Sequence, residues 1–291
     1  MKVQNSDAIK EENVAHPQKV VFICGAPHSG STLLGLILGS HTRCFYAGEA
    51  NKVKFLRKNN EHPDKYCKIC GPSCEIWGDF VYNKDLNIYP ILSKKTGKEI
   101  VIDSTKKLEW VKIQLDKLTN TPSEKYLIYL LRDGRAVINS RLRKYKETHP
   151  EEIIEEWIRH MEKTNYFYQG FNGPKIQLHY EELATEPVKA IRSLCQFLGI
   201  IYEDAMLRYY NHQHHPLGGN TGTQSLIIKA QEENIENQYI QLSERNKYYY
   251  SDHPLSIKLD LRWVKELDSD VIELFERKAG EINLPMKWKE K

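Results

Sequence analysis

The chain alternates short apolar runs with longer stretches whose apolar residues return every three or four positions. Five runs read as strands: KVVFIC (19–24), CFYAG (44–48), EIVIDS (99–104), KYLIYLL (125–131) and KIQLHY (175–180). Helical spacing separates several of them, in STLLGLILGS (31–40), TKKLEWVKIQLDKL (105–118), AVINSRLRKYK (136–146) and EEIIEEWIRHMEKTNYFYQG (151–170). Strands alternating with helices predict an α/β fold, a mostly parallel central sheet covered by helices on both faces. Beyond residue 203 the pattern loosens. HQHHPLGGNTGTQS (212–225) reads as a Gly- and His-rich loop, placed to act as a lid, and DSDVIELFERKAGEI (268–282) reads as a terminal helix capped near Gly280.

The strand ends carry the chemistry. The runs lead into His28 and Ser29, Glu49, Asp103 with Ser104 and Lys106, Arg132, and Tyr180 with Glu181. In parallel α/β sheets ligands bind beyond the carboxyl ends of the strands, so these side chains are expected along one edge.

Composition narrows the partners. The 291 residues, 40% of them apolar, suffice for one large α/β domain, expected over residues 18–291 behind a mobile polar tail, 1–17. With 42 basic and 39 acidic residues the formal charge is +3, and no chain-wide field points to nucleic acid. Basic residues bunch in RDGRAVINSRLRKYK (132–146), which suits a compact polyanion such as a nucleotide. The amino-terminal stretch has no apolar signal core, and no run reaches membrane-spanning length. A soluble, cytoplasmic protein is expected, in keeping with six scattered cysteines. Oligomeric state is not legible.

GAPHSGST (25–32) lies between the first strand and the first helix. Its glycines allow a tight turn, its amides point inward, and a helix N-terminus favours an anion. Where a nucleotide triphosphatase loop carries lysine, this chain has Ser31, so the charge used in γ-phosphate transfer is missing. VID (101–103) resembles a Walker B strand and keeps a small-molecule kinase as the alternative. A non-catalytic nucleotide-binding protein on the same fold is another.

GAPHSGSTLLGLILGS resembles the 5′-phosphosulfate loop of sulfotransferases that use 3′-phosphoadenosine-5′-phosphosulfate (PAPS). YLIYLLRDGRAVINSRLRK (126–144) resembles their 3′-phosphate element, and HYEELATEPVKAIRSLCQFLGI (179–200) their later Y-E-x-L segment. The likeness runs in family order over about residues 19–200. Gly48-Glu49 and Asp103 to Lys106 are more similar to the tyrosylprotein-type and bacterial branch. The resemblance implies a P-loop-like fold, PAPS as donor with 3′-phosphoadenosine 5′-phosphate (PAP) as product, and an acceptor hydroxyl of unknown class.

It also implies roles. His28, Ser29, Gly30, Ser31 and Thr32 would cradle the 5′-phosphosulfate. Arg132 and Ser140 would hold the 3′-phosphate, with Lys144 adding charge and Tyr180 reaching the cofactor. Gly219 and Asn220 would belong to a loop closing over it. Glu49 would be the catalytic base, taking the acceptor proton as sulfur is attacked. Lys106 would offset charge on the leaving oxygen, and its bland alternative is a helix-start lysine. His28 departs from the family's Arg or Lys. Either it is a protonated, pH-sensitive substitute, or Lys106 supplies most of the charge. Asp133 and Arg135 could form an ordinary surface pair and are left out of the site, and Trp157 reads as core rather than an adenine-stacking platform.

Sulfuryl transfer needs no metal, and none is assigned to the site. Cys67, Cys70 and Cys74, with His62 upstream, have spacing that zinc, a disulfide or free thiols all fit. His212, His214 and His215 have metal-like spacing without an evident cysteine or carboxylate partner, and read as a polar loop.

Overall fold

The computed structural model describes residues 18–56, 65–231 and 239–288; the expected tail, residues 1–17, and His62 lie outside them. Strands β1 (Lys19–Cys24), β2 (Cys44–Tyr46), β3 (Ile100–Asp103), β4 (Glu124–Leu131) and β5 (Lys175–His179) form one sheet in the order β2-β3-β1-β4-β5. Every pairing is parallel.

The helices are α1 (Ser31–Gly39), α2 (Ile88–Thr96), α3 (Leu108–Lys117), α4 (Gly134–Leu142), α5 (Pro150–Gly170) and α6 (Tyr180–Thr185). They continue with α7 (Pro187–Leu198), α8 (Thr221–Ala230), α9 (Glu244–Ser251), α10 (Trp263–Glu266) and α11 (Ser269–Asn283).

The central strands β1, β3 and β4 are mostly apolar and buried because both faces of the sheet are covered, whereas edge strand β5 leaves Gln177 exposed. Successive side chains alternate sides. Val20, Phe22 and Cys24 of β1 and Leu127, Tyr129 and Leu131 of β4 enter one core, with Trp157 and Met161 of α5 and Phe275 of α11. Val21, Ile23, Ile128 and Leu130 enter the other, with Leu34 and Leu38 of α1 and Ile191 and Leu194 of α7. The expected architecture is present, and Trp157 is core, at 1% exposure and tilted against Phe275.

Two expectations need correcting. The last helix does not stop at Gly280: α11 continues to Asn283, and Pro285, which cannot extend a helix, follows in a 3-10 turn. Residues 221–225, expected as loop, are instead the first turn of α8, whose N-cap Asn220 accepts a hydrogen bond from the Thr223 amide at 2.8 Å.

Candidate active site

A cavity of about 850 Å³ opens beyond the carboxyl ends of the strands. Of the residues singled out as site candidates from the sequence, all but Ser29 line it: His28, Gly30, Ser31, Thr32, Glu49, Lys106, Arg132, Ser140, Lys144, Tyr180, Gly219 and Asn220. Ser29 is buried, at 1% exposure, and among the described residues its hydroxyl has no partner.

The loop after β1 is held by local geometry. Gly30, the N-cap of α1, sits at φ 93°, and a Cβ there would lie 2.6 Å from Cδ2 of Tyr180. Only glycine satisfies both the left-handed turn and the ring packed beneath it. Among the described residues no side chain caps α1, and no acidic residue occupies its first turn, so its amides face the cavity. His28 also lies in the left-handed region, at φ 71°, uncommon for a residue with a side chain. That turn aims its carbonyl at Arg132 Nη1, which donates at 2.9 Å, while its Nδ1 lies 2.9 Å from the Ser140 hydroxyl. The loop and the β4–α4 element are thereby joined.

Arg132 is buried and its guanidinium stacks over the Tyr180 ring at 4.2 Å. The Asp260 carboxylate accepts from Arg132 Nη2 at 3.2 Å, and among the described residues Nε has no partner. Burial pushes the Tyr180 hydroxyl up to about 12, the Arg132 charge pulling the other way. Burial would raise the Asp260 carboxyl, yet Arg262 and Arg132 together hold it well below the usual carboxylate range.

Glu49 follows β2 and is held by backbone on both sides. Its amide donates to the Leu217 carbonyl at 2.7 Å, and Leu217 N donates to the Ala47 carbonyl at 3.0 Å. The segment before α8 is thus stitched beside β2. Asn220 N then donates to Thr32 Oγ1 at 2.9 Å, closing this segment over the start of α1. Lys106 bonds the Ser104 carbonyl, and Glu49 and Lys106 share the cavity. Burial pushes the Lys106 amine below its ordinary value against the raising pull of Glu49 and Asp103.

Asp103 does not behave as a Walker B carboxylate. It is fully buried, outside the cavity lining, and its oxygens accept from Ala50 N, Thr105 N and Oγ1, Tyr89 Oη and Trp110 Nε1. Asp133 and Arg135 are not a surface pair either. Asp133 is 0% exposed, accepts from the amide and guanidinium of Arg135, and also from Trp288 N, so it ties the carboxyl-terminal segment to α4.

Several lining residues were not anticipated. Tyr249, Tyr250, His253, Lys258, Asp260 and Arg262 reach the cavity from the segment after α8. His160 of α5 donates from Nε2 to the Gly25 carbonyl oxygen at 3.0 Å, and burial lowers its pKa. A second cavity of about 410 Å³ adjoins the first, sharing His28, Lys106, Tyr145 and His160 with it. Among the described residues, eight lysines and arginines line the main cavity with two carboxylates, Glu49 and Asp260.

The histidine cluster does not converge on itself. His212 and His214 bond the Ala205 and Tyr209 carbonyls, at 3.1 and 2.8 Å. His215 instead meets Cys70 and Cys74, so a cysteine partnership exists that its sequence neighbourhood does not reveal.

The chain is similar to known proteins along most of its length. Residues 18–215 match the sulfotransferase domain family. An uncharacterised protein of Aquifex aeolicus is 26% identical over 216 residues, 67% of this chain but only 27% of that protein. A putative protein-tyrosine sulfotransferase of Caenorhabditis briggsae is 24% identical over 200 residues, 66% of this chain and 70% of that one. Among solved structures, the sulfotransferase domain from the curacin biosynthetic pathway superposes with a TM-score of 0.59 at 18% identity, covering 92% of this chain and 98% of that one. Mouse sulfotransferase SULT7A1, complexed with PAP, gives 0.51 at 12% identity, covering 92% and 88%. These structures share the P-loop-like fold. With the family matched across more than half its length, the chain belongs to the sulfotransferase domain family.

Proposed function

We propose that the protein transfers a sulfuryl group from PAPS to an acceptor hydroxyl. The observation that carries this reading is the joining of two anion-binding elements in one cavity. The loop after β1 and the Arg132–Ser140 element meet through the His28–Ser140 and Arg132–His28 contacts. One element alone would suit any phosphate; the pair suits a nucleotide phosphorylated at both ends.

The residues fit such a ligand. Among the described residues, Ser29 Oγ and Arg132 Nε are buried polar atoms without partners, and unmade bonds of this kind are costly unless a ligand or water completes them. When bound, PAPS supplies the sulfuryl group and a leaving nucleotide. The amides of residues 30–32 at the start of α1 would hold the 5′ end, and Arg132 with Ser140 the 3′-phosphate. Lys144 adds charge from the end of α4, and Tyr180 supports the Arg132 plane. Glu49 would accept the acceptor proton at its carboxylate, and Lys106 with His28 would face the charge developing on the leaving side. Gly219 and Asn220 cover the loop and limit water.

Calorimetric titration of PAP, AMP and magnesium-ATP into wild type, Arg132→Ala and Ser140→Ala tests this. PAP is expected to bind best, and each substitution to remove most of its advantage over AMP. For Arg132→Ala the loss should be about 10- to 150-fold, the range of a charged hydrogen bond. Indifference to the 3′-phosphate, or preference for magnesium-ATP, would overturn the reading.

A further inference from the structure

We infer that Cys67, Cys70, Cys74 and His215 form a zinc site. The ligand atoms of these four residues all lie within 4.8 Å of one another. His215 Nδ1 is 3.1 Å from Cys70 Sγ and 3.4 Å from Cys74 Sγ. A tetrahedral zinc with Zn–S bonds of about 2.3 Å has ligand edges of about 3.8 Å, so small side-chain adjustments close the shell.

The local backbone is shaped for convergence. The Gly71 amide donates to the Cys67 carbonyl at 2.7 Å, folding C-K-I-C into a tight turn that aims both sulfurs one way. Gly71 makes that turn at φ 74°, where the Tyr239 ring also leaves no room for a Cβ. Gly78 N returns to the Cys74 carbonyl, setting the third sulfur. Cys67, Cys74 and His215 are buried, and Cys70 is half-buried.

The surroundings of the fourth ligand match a metal-bound imidazole. His215 turns Nδ1 to the sulfurs and Nε2 to the Glu75 carboxylate at 3.2 Å, the outer partner that fixes a ligating histidine's orientation. Its carbonyl accepts from Trp77 Nε1 at 2.6 Å, anchoring the backbone at the same place. Three thiols and an imidazole form a closed, soft donor set, which favours a structural zinc over magnesium or calcium. On binding, three thiol protons pass to solvent and neutral His215 donates its lone pair, so the filled site carries a single negative charge.

The site joins parts of the chain that sequence keeps far apart. His215 lies two residues before Leu217, which is bonded on either side of Gly48 to Ala47 and Glu49. Zinc would thus clamp the 67–74 turn to the segment that covers the start of α1.

The test is metal analysis of the full-length chain, purified under reducing conditions and passed through gel filtration. One zinc per chain is expected. A thiol-specific mercurial should release it as three thiols react, and cobalt exchanged into the site should show thiolate charge-transfer absorption with tetrahedral ligand-field bands. Cys70→Ser and His215→Ala should each lower zinc affinity by more than the about 10- to 100-fold lost when an outer partner of a ligating residue is removed, and should lose zinc on gel filtration. No bound metal in wild type, together with three freely titrating thiols or a disulfide by mass analysis, would overturn the assignment. So would zinc retained in full by both variants. None of these readouts depends on sulfuryl transfer.

Discussion

Lys106 shows how one side chain's surroundings set a measurable limit. Burial pushes its amine below the ordinary lysine value of 10.5, while Glu49 and Asp103 pull it back up only in part. Protonated Lys106 attracts an anion; the neutral amine does not. As pH rises through its lowered pKa the charge is lost, so PAP affinity should decline at a pH below that of an ordinary lysine. Burial pushes the Tyr180 hydroxyl up to about 12, so it titrates later. Calorimetric affinities from pH 7 upward should therefore show an alkaline decline in wild type, with Lys106→Met weaker at neutral pH and flatter above. Parallel pH profiles for the two proteins would remove Lys106 from the anion site.

At the scale of elements, α4 depends on a buried carboxylate. Asp133 caps its first turn through the Arg135 amide at 3.0 Å and pairs with the Arg135 guanidinium, while also holding Asn283 and Trp288 of the carboxyl-terminal segment. Removing one partner strands the other's charge away from water. Asp133→Ala should lower unfolding free energy by about 3–5 kcal/mol, measured by urea denaturation. A loss under about 1 kcal/mol, the worth of an exposed pair, would show that the contact contributes little. The burial of this pair is not legible in the sequence because R-D-x-R looks the same exposed or buried; Asn283 of α11, Trp288 and the Trp263 ring of α10, 4.1 Å over Arg135, cover it. The five strands were legible because apolar runs ending in polar residues mark buried parallel strands. Asp260, Arg262 and the tyrosines beside them were not, since their segment has no strand or periodic helix to place it. His215 and the cysteines, 141 residues apart from Cys74 onward, are joined only by tertiary folding.

Across the whole molecule, charge is nearly balanced yet unevenly placed. The chain totals +3, but among the described residues its main cavity gathers eight lysines and arginines against Glu49 and Asp260. A concave wall of one sign concentrates its field, drawing in a polyanion more strongly than the net charge suggests. Much of that attraction acts across solvent, so salt should weaken it. Between about 0.01 M and about 0.15 M ionic strength the screening length falls from about 30 to about 8 Å. PAP affinity should drop steeply over that range, AMP affinity less, and adenosine affinity hardly at all, all measured by calorimetry at one pH. Charge reversal at Lys144, exposed at the cavity rim, should flatten the PAP slope while leaving adenosine unchanged. If PAP and adenosine responded alike to salt, recognition would rest on contact alone, and the uneven distribution of charge would have no part in bringing the donor to its site.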